Sequence, residues 1–325
     1  MKLQGIHHIT AVAGDPQRNL DFYTGFLGLR LVKQTVNFDD PSAYHFYFGD
    51  GIGTPGTILT FFPWPGARRG SRGTGQVVAT SFAIPRSAIG YWNDRLKSAH
   101  VAFERAPARF DEEVLRFADP DGLLVEFITA EHLNDTTDVA YDSAVPADVA
   151  LGGFHAPTLE LQRANLTVQL LTDVFGFEFL KEQGDRKRFA IDSNFPNKQL
   201  DLVERHDVGF GQIAAGTVHH IAFRAGSDDE QAEWRQKLVD LGLGVTPVID
   251  RQYFHSIYFR EPGGILFEIA TDSPGFAIDE PVEHLGESLK LPPQYEEHRT
   301  EIERALPPVV VERRQAAETA ASPSR

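Results

Sequence analysis

Residues suited to holding a metal ion lie at the two ends of this chain. Residues 216–272 open on Thr217-Val218-His219-His220-Ile221-Ala222-Phe223 and close on Gly264-Ile265-Leu266-Phe267-Glu268-Ile269. Both read as short strands. The first offers a histidine on a strand face and the second a carboxylate. If the two are neighbours in one curved sheet, His220 and Glu268 can point at one ion. One more histidine completes a two-histidine, one-carboxylate face. Gly5-Ile6-His7-His8-Ile9-Thr10 supplies it from the other end.

The elements that must position these residues repeat along the chain. Asp119-Pro120-Asp121-Gly122-Leu123-Leu124-Val125-Glu126 resembles Glu261-Pro262-Gly263-Gly264-Ile265-Leu266-Phe267-Glu268. Weaker copies follow Pro55 and Pro196. Counting six residues on from each proline gives Phe61, Glu126, Leu202 and Glu268. The opening strand repeats too: Gly5-Ile6-His7-His8 parallels Gly152-Gly153-Phe154-His155 and Val218-His219-His220, while the copy around Val77 to Ile84 has no histidine. Each opening strand precedes an amphipathic helix. Asp15 before Pro16 starts the first, whose stripe is Leu20, Tyr23, Phe26 and Leu27. Ile89, Trp92 and Leu96 mark the second. Leu166, Leu170, Leu171, Val174 and Phe175 mark the third. Ser227, three residues before Glu230, caps the fourth, which carries Trp234, Leu238 and Leu241. Turn-punctuated apolar runs follow each helix. The class is therefore α+β, built from four βαβββ modules at residues 5–64, 75–131, 151–206 and 216–272. These group into an N-terminal domain (1–133), a linker (134–150), a C-terminal domain (151–272) and an extension (273–325) whose end reads as disordered.

Bulk properties exclude several functions. With 325 residues, 42% of them hydrophobic, the chain can bury a large core. A net charge of −15 without a basic stripe argues against nucleic-acid binding. There is no apolar run long enough to span a membrane and no signal-peptide core. The absence of cysteine removes disulfides, thiolate nucleophiles and thiolate metal sites. These features fit a cytoplasmic protein. Gly49-Asp50-Gly51-Ile52-Gly53 lies between two strands with no helix after it, so it reads as a hairpin and not a phosphate cradle. Arg68-Arg69-Gly70-Ser71-Arg72 reads as a solvated loop or a lid.

Four such modules, with histidine on an opening strand and glutamate on a closing one, resemble the vicinal oxygen chelate superfamily, and the resemblance covers the chain up to about Asp272. Two glyoxalase/extradiol-dioxygenase-like domains are thereby implied. The His-His strands, the distal glutamate strand and the polar residues between them are similar to the hydroquinone-type ring-cleaving dioxygenases, which use iron(II).

Spacing leaves two ligand sets open. If the first module joins the fourth, the corners are His8, Phe61, His220 and Glu268. If the third joins the fourth, they are His155, Leu202, His220 and Glu268. Only the first and fourth modules carry the His-His doublet, and the resemblance places the metal between the terminal modules; both favour His8. Three protein ligands leave positions for substrate and dioxygen together. Imidazole and carboxylate also suit manganese, so Fe(II) rests on the resemblance. Glu126 lacks histidine partners and reads as structural.

The resemblance further implies pocket roles for His7, His219 and Thr10, although neighbours in a regular strand face opposite ways. Tyr258 and Arg251 match the family's tyrosine and arginine in their spacing to the closing glutamate. Tyrosine can donate to a substrate oxygen or to dioxygen, and arginine can stabilise developing negative charge. The plain alternative for Arg251 is an ion pair with Asp250 or Glu261. His255 is either a proton-transfer group or solvent-facing, and rings among residues 44–48 either pack or line a substrate pocket. The implied activity is extradiol-type opening of a hydroquinone-like ring with O2, by a homo-oligomer. The alternatives are a metal-dependent lyase or isomerase of the same superfamily, a catechol-cleaving enzyme using His155, and a binding protein without catalysis.

Overall fold

The computed structural model describes residues 1–133 and 143–311. Most of the expected linker and the stretch read as disordered lie outside the described residues. Four units follow one another. The first is β1 (Ile6–Ala13), α1 (Pro16–Leu20), β2 (Arg30–Val36), β3 (Tyr44–Gly49) and β4 (Ile58–Pro63). The second is β5 (Gln76–Pro85), α2 (Ile89–Ser98), β6 (Phe103–Arg109), β7 (Glu112–Ala118) and β8 (Leu124–Ala130). The third is β9 (Thr158–Leu161), α3 (Asn165–Gln169), β10 (Glu178–Gln183), β11 (Arg186–Ala190) and β12 (Gln199–Glu204). The fourth is β13 (Thr217–Ala225), α4 (Asp228–Asp240), β14 (Ile249–Asp250), β15 (Phe254–Arg260) and β16 (Leu266–Pro274), before a tail ending in α5 (Arg299–Ala305).

The helix starts follow their caps. Asp15 accepts from the Arg18 amide, with Pro16 in the first helical position. Ser227 accepts from the Glu230 amide, and the Glu230 carboxylate accepts from Gly226 and not from the capping residue. α1 and α3 each run on into a π-helical turn. Gly242 ends the α4 region at φ 81°, a conformation that disfavours side chains with a Cβ. Trp92 and Trp234 are fully buried, whereas Leu166 and Leu241 project to solvent at the ends of their helices. The third opening strand starts later than Gly152: Phe154 makes a single bridge to Phe82, the backbone breaks at Ala156 (φ 45°), and β9 begins at Thr158.

Pairing among the units departs from the order of the sequence. One eight-stranded sheet runs β14-β15-β16-β13-β1-β4-β3-β2 and the other β10-β11-β12-β9-β5-β8-β7-β6. The first unit joins the fourth through antiparallel β1 and β13, and the second joins the third through β5 and β9. Each sheet thus draws on both halves of the chain, and the sheets do not follow the division into 1–133 and 151–272. The arginine-rich stretch after β4 is no free loop: residues 69–74 bridge to 210–215, between the third and fourth units.

The two concave interiors are filled differently. In the sheet of units two and three, Arg109 clasps Glu126 with two hydrogen bonds of 2.8 and 2.9 Å, and Arg116 and Ser81 add two more. Arg186 and Arg188 hold Asp201, and Arg188 also reaches Glu112, which lies 3.3 Å from His155. His155 therefore packs against the other sheet, beside Glu112, whereas His220 and Glu268 group with His8. Glu126 has the structural role expected of it. Burial opposes its ionisation, but Arg109 and Arg116 outweigh that and hold the carboxyl at about 2.

Because its partner is also buried, Glu126→Ala leaves Arg109 an interior charge with only the more distant Asp201, at 3.7 Å, to offset it. We expect a loss of about 3–5 kcal/mol, read from the urea midpoint. The folded-state value of Glu126 lies below the unfolded value of 4.5. Its contribution is complete above about 4.5 and is lost as pH falls towards 2. Urea midpoints of Glu126→Gln should accordingly fall less steeply than those of wild type across that window.

Candidate metal centre

β1 and β13 carry the two histidine doublets, and their pairing is irregular at both. Two residues of β1, from Ile6 to His8, span one step of β13, from Phe223 to Ala222. One step of β1, from Thr10 to Ala11, spans two of β13, from His220 to Val218. His7 and His219 are thus the extra residues of two β-bulges, and a bulge re-aims side chains. Regular strands would have turned each doublet to opposite faces. Here the Nδ1 atoms of His7 and His8 lie 2.9 Å apart, and those of His219 and His220 2.8 Å apart.

The other ring nitrogens converge. His8 Nε2 and His220 Nε2 are 3.3 Å apart, and they lie 3.3 and 2.9 Å from Glu268 Oε2. All three residues are buried. Ligands bound at right angles with bonds of about 2.1 Å would be separated by about 3 Å, so the triangle fits one ion. Glu268 Oε2 accepts no well-directed hydrogen bond despite the short contacts. Its partner oxygen, Oε1, accepts from Ser256. A buried carboxylate oxygen left this way is costly unless a cation meets it.

The flanking histidines determine which nitrogens are free. The metal reading makes the ligand ring the donor in this pair, with the Nδ1–H of His8 directed at Nδ1 of His7. That assignment leaves His8 Nε2 as a lone pair for an ion. The His219–His220 pair repeats the geometry. Burial lowers His7 and His219 to about 3 and also lowers His220, so these imidazoles are neutral. Burial opposes ionisation of Glu268, but positive charge at the His8–His220 corner holds it well below its usual value, and with neutral imidazoles a bound cation would supply that charge. Neutral imidazoles with a carboxylate are the donor set of a divalent cation.

His8 and His220 open onto a cavity of about 330 Å³ whose other walls include Phe62, Trp64, His219, Phe254 and Leu266. Tyr258 and Arg251 line it as well. Tyr258 lies opposite Glu268 in the sheet, and its hydroxyl accepts from Arg251 Nε at 3.2 Å. Burial and the Glu268 carboxylate push that hydroxyl up despite Arg251, so it keeps its proton. The guanidinium also pairs with Asp39 at 3.2 Å, not with Asp250 or Glu261.

Three expectations change. Phe61 does not face the metal-ligand group. In the parallel registers, Glu268 lies opposite Ala222, two residues after His220, and Thr60 lies opposite Thr10, two after His8. Thr60 holds the corner, and Phe61 points the other way onto Tyr23 at 4.6 Å. The turn after Pro55 is one residue shorter than the turn after Pro262, and a one-residue slip reverses the face. The same slip places Asp201, not Leu202, opposite Thr158. His255 alternates with Ser256 and leaves the pocket, binding Asp228 at the start of α4 at 2.6 Å. Thr10 lies opposite His220 across the seam, but among the described residues its hydroxyl bonds to Thr60, at 2.8 Å, and to neither ligand histidine. His45, which bonds to Thr60 and lines the cavity, was hidden in an aromatic run whose plain reading was a strand.

Sheet order and site together define a class. A family model described as the Glyoxalase/Bleomycin resistance protein/Dioxygenase superfamily matches residues 5–127 and 162–269, and the chain belongs to that superfamily. Within it, the chain is 50% identical to "Putative ring-cleaving dioxygenase MhqO" of Bacillus subtilis, over 95% of this chain and 98% of that one. It is 36% identical to the chlorohydroquinone/hydroquinone 1,2-dioxygenase of Sphingobium indicum, over 95% and 98%. A crystal structure of a "putative dioxygenase" from Bacillus subtilis superposes with a TM-score of 0.90 at 49% identity, over 96% and 99%. Maize glyoxalase I shares the fold alone, with a TM-score of 0.62 at 14% identity over 83% and 92%.

Ser256 and His255 are neighbours facing opposite ways, which makes a controlled pair. Ser256→Ala removes the donor to Glu268 and should weaken divalent-cation binding about 10-fold or more. His255→Ala should leave it unchanged. Titration calorimetry of the two variants checks both outcomes.

Proposed function

We propose that this protein is a non-haem Fe(II)-dependent ring-cleaving dioxygenase that opens a hydroquinone-like ring with O2. The observation that carries the reading is the triangle of His8 Nε2, His220 Nε2 and Glu268 Oε2 at the wall of a largely aromatic cavity, with the carboxylate oxygen unsatisfied. The names of the relatives support the substrate class. When bound there, the metal would supply a Lewis-acidic centre able to bring a phenolate oxygen and dioxygen side by side; Mn(II) fits the same donors.

The chain's own groups do the rest. His7 and His219 hold the ligand rings in one tautomer. Phe62, Trp64 and Phe254 offer apolar faces to a ring and exclude water. Tyr258, kept protonated and fixed by Arg251, presents a hydroxyl to negative charge developing on oxygen. Arg251 adds positive charge behind it, with Asp39 holding the guanidinium in place. His219 lies on the cavity wall with a neutral ring; with Nδ1 accepting from His220, its Nε2–H is left to donate to a bound oxygen.

The test is anaerobic reconstitution with iron(II), then oxygen uptake with hydroquinone, methylhydroquinone and catechol. We expect uptake with the hydroquinones, no metal retention in Glu268→Ala, and full metal with about 10²-fold lower turnover in Tyr258→Phe. Uptake with catechol alone would replace the substrate class. No uptake with any diphenol despite bound iron would favour a lyase or isomerase.

A further inference from the structure

His45 lines the cavity but belongs to neither histidine doublet. It stands on β3, two strands across from β1 in the order β1-β4-β3, a span of about 10 Å. Its ring is held between those of Tyr47 and Phe62, with centroids 4.0 and 4.3 Å away. Its Nε2 lies 2.9 Å from Thr60 Oγ1, which lies 2.8 Å from Thr10 Oγ1. Both threonines are completely buried.

This row of three polar groups has only one arrangement that places both hydroxyl protons. Were Nε2 protonated, it would donate to Thr60 and Thr60 to Thr10. The Thr10 proton would then have no acceptor among the described residues, which is costly in a buried site. In the opposite sense Thr10 donates to Thr60 and Thr60 donates to Nε2, and both are satisfied. A neutral imidazole carries one proton, so it must sit on Nδ1. Burial keeps the ring neutral. Nδ1 has no hydrogen-bond partner among the described residues and is not one of the fully enclosed unpartnered atoms, so it opens to the cavity.

We infer that His45 donates its Nδ1 proton to a substrate oxygen at the end of the ring remote from His8, His220 and Glu268, and so selects para-diols over single phenols and over ortho-diols. This rests on the reading of the site as a ring-cleaving dioxygenase. A para-diol with one oxygen at the ligand group carries its second oxygen across the width of the ring, towards β3. Phenol has no oxygen there, and an ortho-diol has both at the near end. Thr10 and Thr60 are positioning residues that act through the His45 tautomer.

Equilibrium binding to iron-loaded protein without oxygen tests the inference without turnover. Wild type should bind hydroquinone about tenfold more tightly than phenol or catechol, the scale of one hydrogen bond. His45→Phe should bind all three alike with unchanged iron content. The tautomer is read independently from histidine ¹⁵N spectra of zinc-loaded wild type, in which the His45 signals are assigned by their loss in His45→Gln. A proton on Nδ1 is expected. Undiminished preference in His45→Phe, or a proton on Nε2, overturns the inference while wild-type turnover of hydroquinone stands. Wild type that binds no diphenol at all overturns the reading of the site and the inference with it.

Discussion

The antiparallel seam between β1 and β13 is the contact on which the rest of this structure depends. It joins strands more than two hundred residues apart and brings His8 Nε2 to within 3.3 Å of His220 Nε2. Without it Glu268 would keep Ser256 and His220 but lose His8. The seam is irregular where function needs it. Bulges at His7 and His219 turn four histidines inward from positions where regular strands would have sent two of them outward. The extra ring in each doublet then becomes the hydrogen-bond partner that orients the ligand.

The other sheet shows what the same topology does without histidine doublets. There Glu126 and Asp201 occupy the positions that correspond to Glu268 and Thr60. Arginines satisfy them: Arg109 and Arg116 for one, Arg186 and Arg188 for the other. Such a network fills the interior and leaves little that a cation would improve. A buried carboxylate needs compensating positive charge, and this chain meets that need in two ways. One half-barrel uses fixed guanidinium groups. The other leaves an oxygen unsatisfied beside two imidazoles.

The pocket walls follow the same economy of polar groups. Tyr258 and Ser256 project from one face of β15, towards Glu268, while His255, just before Ser256, turns to α4. Arg251, just beyond β14, is held by Tyr258 on one side and Asp39 on the other. Buried Lys33 ties β2 to Asp279 and Glu280 of the tail, at 2.5 Å from each, so residues after β16 help to close the sheet's free edge. Phe276 packs there against Tyr47 and Tyr253.

Much of this was legible in residue order. The fourfold strand–helix–three-strand pattern follows from local periodicity, caps and turn residues, which depend on near neighbours only. The ligand types were equally plain, because histidine on one repeat strand and glutamate on another carry their chemistry wherever the fold puts them. Three matters depended on contacts between distant residues. Which modules pair decided between His8 and His155. A one-residue difference in turn length put Thr60 at the corner where counting put Phe61, since strand faces alternate with every residue. The bulges at His7 and His219 arise from mismatch between two strands, which neither strand's sequence records by itself. Local order determined the units and the donor atoms; the register between units, set by packing across the whole chain, decided which donors meet.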